Sequence, residues 1–320
     1  MGILNSRPQW QVSSIPDLTG RVAIVTGGNS GLGFVTAREL ARKGAHVYML
    51  CRQESRALAA IEKIKSELGP DTKTKIEFIK FDLQNLKSAT KAAQAFMDRE
   101  TRLDILVNNA GIMATPYELS PDGIEVQACN GTGHFALTIP LLPLLKQTAA
   151  LPDSHVRIVN ITSIGYQFAR LGSPDFSSLE GLNQKSGSTW VRYGFSKLSN
   201  ILFTNELQTR LIESGTTNIY CLSVHPGGVD TELSRGPIQY WPIFSLLWAL
   251  LKYIVVTPEQ GALTQLYAAT APEVEEKDLK AALLFPVAQL KRKKAIAEDK
   301  ERKLGIQFWN LCEALVREKA

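Results

Sequence analysis

The sequence predicts an α/β fold, a doubly wound parallel sheet with helices on both faces in a single domain, and three observations carry that expectation. An apolar run, Arg21-Val-Ala-Ile-Val-Thr26, leads straight into a glycine-rich loop, Gly27-Gly-Asn-Ser-Gly-Leu-Gly33, and then into a helical pattern. Short strand-like runs alternate with helical stretches through nearly all of the 320 residues, with no repeat or linker. Hydrophobic residues are 44% and charged residues 21% of the chain, a balance that supports one large core and argues against disorder.

Strand, glycine loop and helix in that order form the context of a Rossmann-type nucleotide site. Glycine at 27, 31 and 33 lets the chain turn tightly, brings backbone close to a pyrophosphate, and allows the following helix to pack on the strand. The start of that helix offers free N–H groups to phosphate. The second strand, His46-Val-Tyr-Met-Leu50, is followed by Arg52, where enzymes that use NAD carry an acidic residue for the ribose 2′-hydroxyl. A guanidinium there pairs instead with a 2′-phosphate, so NADP(H) is the expected cofactor, with Asn29 and Ser30 as further polar contacts. A plain surface arginine after a strand is the alternative.

Tyr193 and Lys197 stand four residues apart in a stretch, Trp190 to Leu211, that reads as a helix with Phe195, Leu198, Leu202 and Leu207 near one apolar stripe. A phenol has a pKa of about 10, and a neighbouring cation favours its ionised form. The spacing occurs on many solvated helices too, so its meaning depends on the residues around it.

Those residues resemble the short-chain dehydrogenases/reductases. Thr26 to Gly33 matches the family's Thr-Gly-x-x-x-Gly-x-Gly, Asp82-Leu83 follows the third strand, and Asn108-Asn-Ala-Gly111 ends the fourth, Leu103 to Val107. Asn130 comes next, Ser163 closes the fifth strand, Val156 to Thr162, and His225-Pro-Gly-Gly-Val-Asp-Thr231 follows the Tyr193 helix. The resemblance spans residues 15 to 287. It is nearest to the retinol-dehydrogenase-like and WW-domain-oxidoreductase-like subgroup, with no WW domain expected, through Ile15 to Gly20, Gly133-His-Phe135 and Ser196 to Asn200. Gly131 and Thr132 depart from the subgroup pattern and are expected to loosen the helix that carries Asn130.

The resemblance implies a catalytic set of Asn130, Ser163, Tyr193 and Lys197. Tyr193 exchanges a proton with the substrate oxygen while hydride passes between nicotinamide and carbon, and Lys197 lowers the phenol's pKa and binds the nicotinamide ribose. Ser163 holds the carbonyl oxygen; Asn130 positions the helix backbone and a water linked to Lys197. Asp82, Asn109, Val229, Thr231 and the backbone near Leu32 complete the cofactor contacts. The expected activity is the interconversion of a lipophilic ketone or aldehyde and its alcohol; the alternative is a catalytically silent NADPH-binding regulatory protein.

The rest of the chain bears on setting. Four scattered cysteines, Cys51, Cys129, Cys221 and Cys312, point to reduced buried thiols rather than disulfides or zinc, and His134 and His225 read as packing residues, so no metal is expected. The net charge of +5 comes without a basic motif interleaved with aromatics, which excludes nucleic acid as an expected partner. Residues 172 to 188, before the Tyr193 helix, form a polar loop that either shapes substrate entry or is a passive excursion. Trp241 to Val256 is the most apolar run, sixteen residues including Lys252, short of the roughly 20 that span a bilayer. We read an apolar lid over 235–256, with a dip into a membrane surface as the alternative, followed by a capped helix from Thr257-Pro-Glu-Gln260.

Residues 1–14 are an extension in which Gly2 and Ser6 fit a myristoylation pattern or an accidental match. Residues 288–320 form a helical tail, with a solvated basic run, Lys291 to Lys294, and an apolar stripe, Leu304, Phe308, Leu311, Cys312 and Leu315, that packs on the domain or on a second subunit. The expected state is a monomer or homodimer in the cytoplasm, with peripheral membrane contact as a further expectation.

Overall fold

The computed structural model describes residues 10–70, 72–229 and 255–320. Thr231, nearly all of the apolar run, and the Gly2 motif therefore lie outside the described residues. Strand β1 (Val22–Thr26) is buried along its whole length, the pattern of a central parallel strand with both faces covered. It lies between β2 (His46–Cys51) and β4 (Ile105–Asn108), and β3 (Lys75–Lys80), β5 (Val156–Ile161), β6 (Ile219–Val224), β7 (Leu283–Phe285) and β8 (Gln289–Leu290) complete one sheet in the order 3-2-1-4-5-6-7-8. Strands β1 to β7 are parallel and β8 is antiparallel. The chain moves outward from β1 in one direction and from β4 in the other, so a crevice opens between their carboxyl ends, the place where such sheets bind ligands.

Helices α1 (Gly31–Arg42), α2 (Glu54–Leu68) and, from the far end of the chain, α7 (Pro258–Thr270) cover one face. Helices α3 (Leu86–Met97), α4 (Cys129–Ala149) and α6 (Thr189–Glu213) cover the other, and two separate apolar clusters fill the spaces between helices and sheet. Thr257 caps α7 with the expected reciprocal box, its side chain accepting from the Gln260 N–H while Gln260 reaches back, and Pro258 opens the helix.

Helix α4 is continuous, contrary to the loosening expected at Gly131 and Thr132. A Cβ on Gly131 would stand 2.4 Å from Ser199 Oγ and 3.0 Å from the ring of Phe308, so glycine is what lets α6 and the C-terminal helix close on α4. That last helix, α10 (Lys303–Lys319), buries Phe308, Trp309, Cys312 and Leu315 in the main core, with Leu304 and Leu311 partly buried beside them. Its stripe thus packs on the domain. The basic run is not helical, and Lys293 turns inward to donate to Ala281 O and Asn205 Oδ1 rather than facing water. Between Ser163 and α6 the chain forms a 3-10 turn (Ile164–Leu171) and a short helix, α5 (Leu179–Leu182), pinned by buried Phe176 and Leu182. Among the described residues no helix is long and apolar enough to cross a membrane.

Candidate active site

The glycine loop leaves β1 at Thr26 and enters α1 at Gly31. Gly27 adopts a left-handed conformation (φ +66°), and a Cβ on Gly33 would meet the Gly27 carbonyl at 2.3 Å, so the loop can lie against the helix only with glycine at that place. Ser30, the N-cap of α1, makes no side-chain cap bond, and Ser30, Gly31 and Leu32 line the cavity, where first-turn N–H groups can meet a ligand. This cradle fits a pyrophosphate. Asn109 braces it from β4, its Nδ2 donating to Thr26 O at 2.9 Å while its own N–H and that of Ala110 donate to Thr26 Oγ1, each at 2.9 Å.

Asn130, fully buried in the first turn of α4, grips one peptide from both sides: its Oδ1 accepts from Ile112 N and its Nδ2 donates to Ile112 O, each at 2.9 Å. It stands behind the wall of the cleft and fixes the segment after β4. Ser163 leaves the end of β5 and accepts from Gly165 N at 3.1 Å, capping the 3-10 turn. Tyr193 and Lys197 rise from α6. The helix is tied to β5 through Thr162 Oγ1 donating to Lys197 O (2.7 Å), and through Lys197 Nζ (3.0 Å) and Asn200 Nδ2 (2.8 Å) both donating to Ile161 O. A Cβ on Gly165 would come within 2.9 Å of the Tyr193 ring, so the small residue lets the turn cover the phenol.

Burial sets the electrostatics. It pushes the Tyr193 phenol up to about 12, a hydrogen bond with the Ser163 hydroxyl drawing it part of the way back, and it pushes the Lys197 ammonium down to about 8. The ammonium sits 5.8 Å from the centre of the Tyr193 ring. Burial thus raises the phenol in the protein alone, which differs from the expectation that Lys197 brings it toward the working pH. The same cause holds His225 down to about 4 and His134 to about 3, so both rings are neutral.

One cavity of about 680 Å³ joins these parts. Gly27, Asn29, Ser30, Gly31, Leu32, Arg52, Asp82 and Asn109 line it on the β1 to β4 side. Ser163, Tyr193, Lys197 and Val229 line it beyond. Gly33 and Asn130 stand behind its wall. Asp82 Oδ1 accepts from Gln84 N at 3.0 Å, and Asn85 caps α3. Arg56, Gln53 and Thr115 also line the cavity and were not expected. Arg56 had a signal: it lies four residues after Arg52, in the first turn of α2. Among the described residues no cluster of three or more His, Cys, Asp or Glu is placed to hold a metal ion.

A family model for short chain dehydrogenases matches residues 21–178. An oxidoreductase of Schizosaccharomyces pombe is 42% identical over 287 residues, which cover 88% of this chain and 81% of that protein. The chain belongs to the short-chain dehydrogenase family. Within it, mouse retinol dehydrogenase 11 is 41% identical over 81% of this chain and 76% of its own length, in agreement with the subgroup that the sequence resembles. Among solved structures, the NADP active-site complex of Pseudomonas aeruginosa RhlG superposes with a TM-score of 0.63 at 25% identity, covering 85% of this chain and 96% of that one. Family membership makes the chain an oxidoreductase with a nicotinamide nucleotide site on a Rossmann-type sheet.

Proposed function

We propose that this short-chain dehydrogenase interconverts a lipophilic ketone or aldehyde and its alcohol with NADP(H), Tyr193 exchanging the proton at the substrate oxygen. One observation carries the reading. Ser163, Tyr193 and Lys197 converge on a cavity that also reaches Arg52, and Arg52 follows β2, three strand spacings or roughly 14 Å from the end of β5. An extended dinucleotide would fit between them, with Tyr193 and Lys197 to hold its nicotinamide end and Arg52 its adenosine phosphate.

When bound, the nicotinamide supplies hydride to the carbonyl carbon or accepts it from the alcohol. The chain does the rest. Ser163 Oγ and the Tyr193 hydroxyl are adjacent donors for one oxygen, and the raised phenol pKa keeps Tyr193 protonated at neutral pH, ready as the acid for reduction. As that proton leaves, negative charge develops on the phenol oxygen, where the Lys197 ammonium stabilises it. Asn130 holds Ile112 and so shapes the wall opposite.

Ile112, Met113, Ile164 and Val255 give the cavity apolar lining, which suits a lipophilic substrate, as does the likeness to a retinol dehydrogenase. The NADP of the RhlG complex and the guanidinium of Arg52 support the phosphorylated nucleotide. A silent regulator would have no need of the Tyr193 phenol buried beside Ser163, so the complete Asn130, Ser163, Tyr193 and Lys197 set favours the enzyme. The four buried free cysteines suit a reducing cytoplasmic setting.

The test is consumption of NADPH against a panel of lipophilic aldehydes and ketones, with Tyr193→Phe alongside. We expect turnover in the wild type, and in the variant unchanged NADPH binding with turnover lost. NADPH binding without turnover of any carbonyl by the wild type would favour the regulator, and an active Tyr193→Phe would remove the proton-transfer role.

A further inference from the structure

His134 is fully enclosed within α4, and neither ring nitrogen is idle. Nδ1 lies 2.8 Å from Asn130 O and Nε2 lies 2.9 Å from Thr26 Oγ1. A carbonyl oxygen can only accept, so Nδ1 carries the proton and Nε2 is the bare acceptor. That choice propagates. The Thr26 hydroxyl must point its hydrogen at Nε2, which turns its lone pairs to the two N–H groups, of Asn109 and Ala110, that approach at 2.9 Å. The competing acceptor for that hydrogen, Val107 O, is at 3.4 Å. Phe81, on the cavity wall, stacks on the ring at 6.2 Å and an interplanar angle of 25°, fixing its plane.

Thr26 joins β1 to the glycine loop; Asn130 holds Ile112, which lines the same cavity as Tyr193. Among the described residues, His134 is the one side chain hydrogen-bonded to both. We infer that His134 is a positioning residue that couples the nucleotide cradle to the substrate wall, its Nε2 setting the donor direction of Thr26 and its Nδ1–H anchoring the Asn130 turn. The inference rests on the proposed NADP(H) function and assigns a task to a ring that touches neither substrate nor nucleotide.

Two near-isosteric variants separate the halves of the coupling. Asparagine places an amide nitrogen near the position of Nδ1 and keeps the donor to Asn130; glutamine places an amide oxygen near Nε2 and keeps the acceptor for Thr26. We expect His134→Asn to weaken NADPH binding about tenfold, the worth of one buried hydrogen bond, with kcat at saturating nucleotide changed less than about threefold. For His134→Gln we expect the reverse, kcat lowered about tenfold and the NADPH dissociation constant within about threefold. A residue that served stability alone would move both constants in parallel with the thermal midpoint, and that result would overturn the proposal. Nitrogen-15 NMR of the wild type, which requires no variant to fold, should show His134 protonated at Nδ1 and bare at Nε2; the other tautomer would overturn it as well. A wild type that binds neither NADPH nor NADH defeats the functional reading and the inference with it. Tight wild-type binding with unchanged variants defeats the inference alone.

Discussion

The Glu125 carboxylate and the Arg192 guanidinium, 3.2 Å apart and both shielded from water, join the entry to α4 to the residue next to the Tyr193 phenol. Glu125 Oε2 accepts from Gln127 N at 2.9 Å and Ala128 N at 3.0 Å at the entry to α4, which carries Asn130. Arg192 immediately precedes Tyr193 and also donates to Thr115 O at 3.0 Å and Ser186 O at 3.2 Å. Removing either partner strands a buried charge, which costs about 3–5 kcal/mol. Glu125→Ala should therefore lower the urea midpoint sharply. The paired change Glu125→Leu with Arg192→Met should recover much of the loss, and an additive double variant would show that the two groups are not coupled.

Arg52 governs the choice of nucleotide on the proposed reading. Arg52→Asp should raise the KM for NADPH by about tenfold or more relative to that for NADH, because it replaces a charge-assisted bond with repulsion of the 2′-phosphate. Steady-state kinetics with both nucleotides check this. Equal effects on the two would assign the phosphate to another group, with Arg56, also on the cavity wall, as the next candidate.

Lys197 gives activity and stability opposite pH trends. Its folded pKa, about 8, lies below the ordinary 10.5, so between those values the unfolded chain binds more protons than the folded one and stability rises with pH. Over the same range the folded protein loses the ammonium beside Tyr193, and carbonyl reduction should fall above about pH 8 while Tyr193 stays protonated. Urea midpoints of the nucleotide-free protein and a pH–rate profile test the two limbs. Lys197→Met should abolish the rise in stability, and a rise that persists in that variant would place its origin elsewhere.

Gly131→Ala should destabilise the fold by about 1–3 kcal/mol, the usual cost of overpacking, since the added methyl would stand 2.4 Å from Ser199 Oγ. Adding Ser199→Ala removes that atom, leaving Phe308 at 3.0 Å and Ser199 Cβ at 3.3 Å as the nearest neighbours. Thermal melts of the single and double variants should show partial rescue. No rescue would locate the strain at Phe308 alone.

Much of the site was legible because its parts are local. A strand entering Gly27 to Gly33, Arg52 just past the second strand, and Tyr193 four residues before Lys197 are patterns within one or two turns of chain, and the structure brings twelve of the expected site residues, Asp82, Ser163 and Val229 among them, onto one cavity. The Tyr193 phenol was misjudged for a non-local reason. Spacing reveals that Lys197 is near, but burial dominates the phenol, and the 3-10 turn that packs on its ring at Gly165 comes from chain some thirty residues earlier.

By itself the sequence determined the parallel α/β sheet, the glycine cradle and the identities of Ser163, Tyr193 and Lys197, because periodicity, turn chemistry and motif order act over short stretches. Only the tertiary structure decided that α10 packs on the domain core, that Gly131 is a contact point rather than a weakness, that His134 bonds both Thr26 and Asn130, and that Glu125 pairs with Arg192. Each of those depends on side chains from distant segments sharing a space closed to water, where shape and hydrogen-bond direction settle the outcome and sequence separation carries no information.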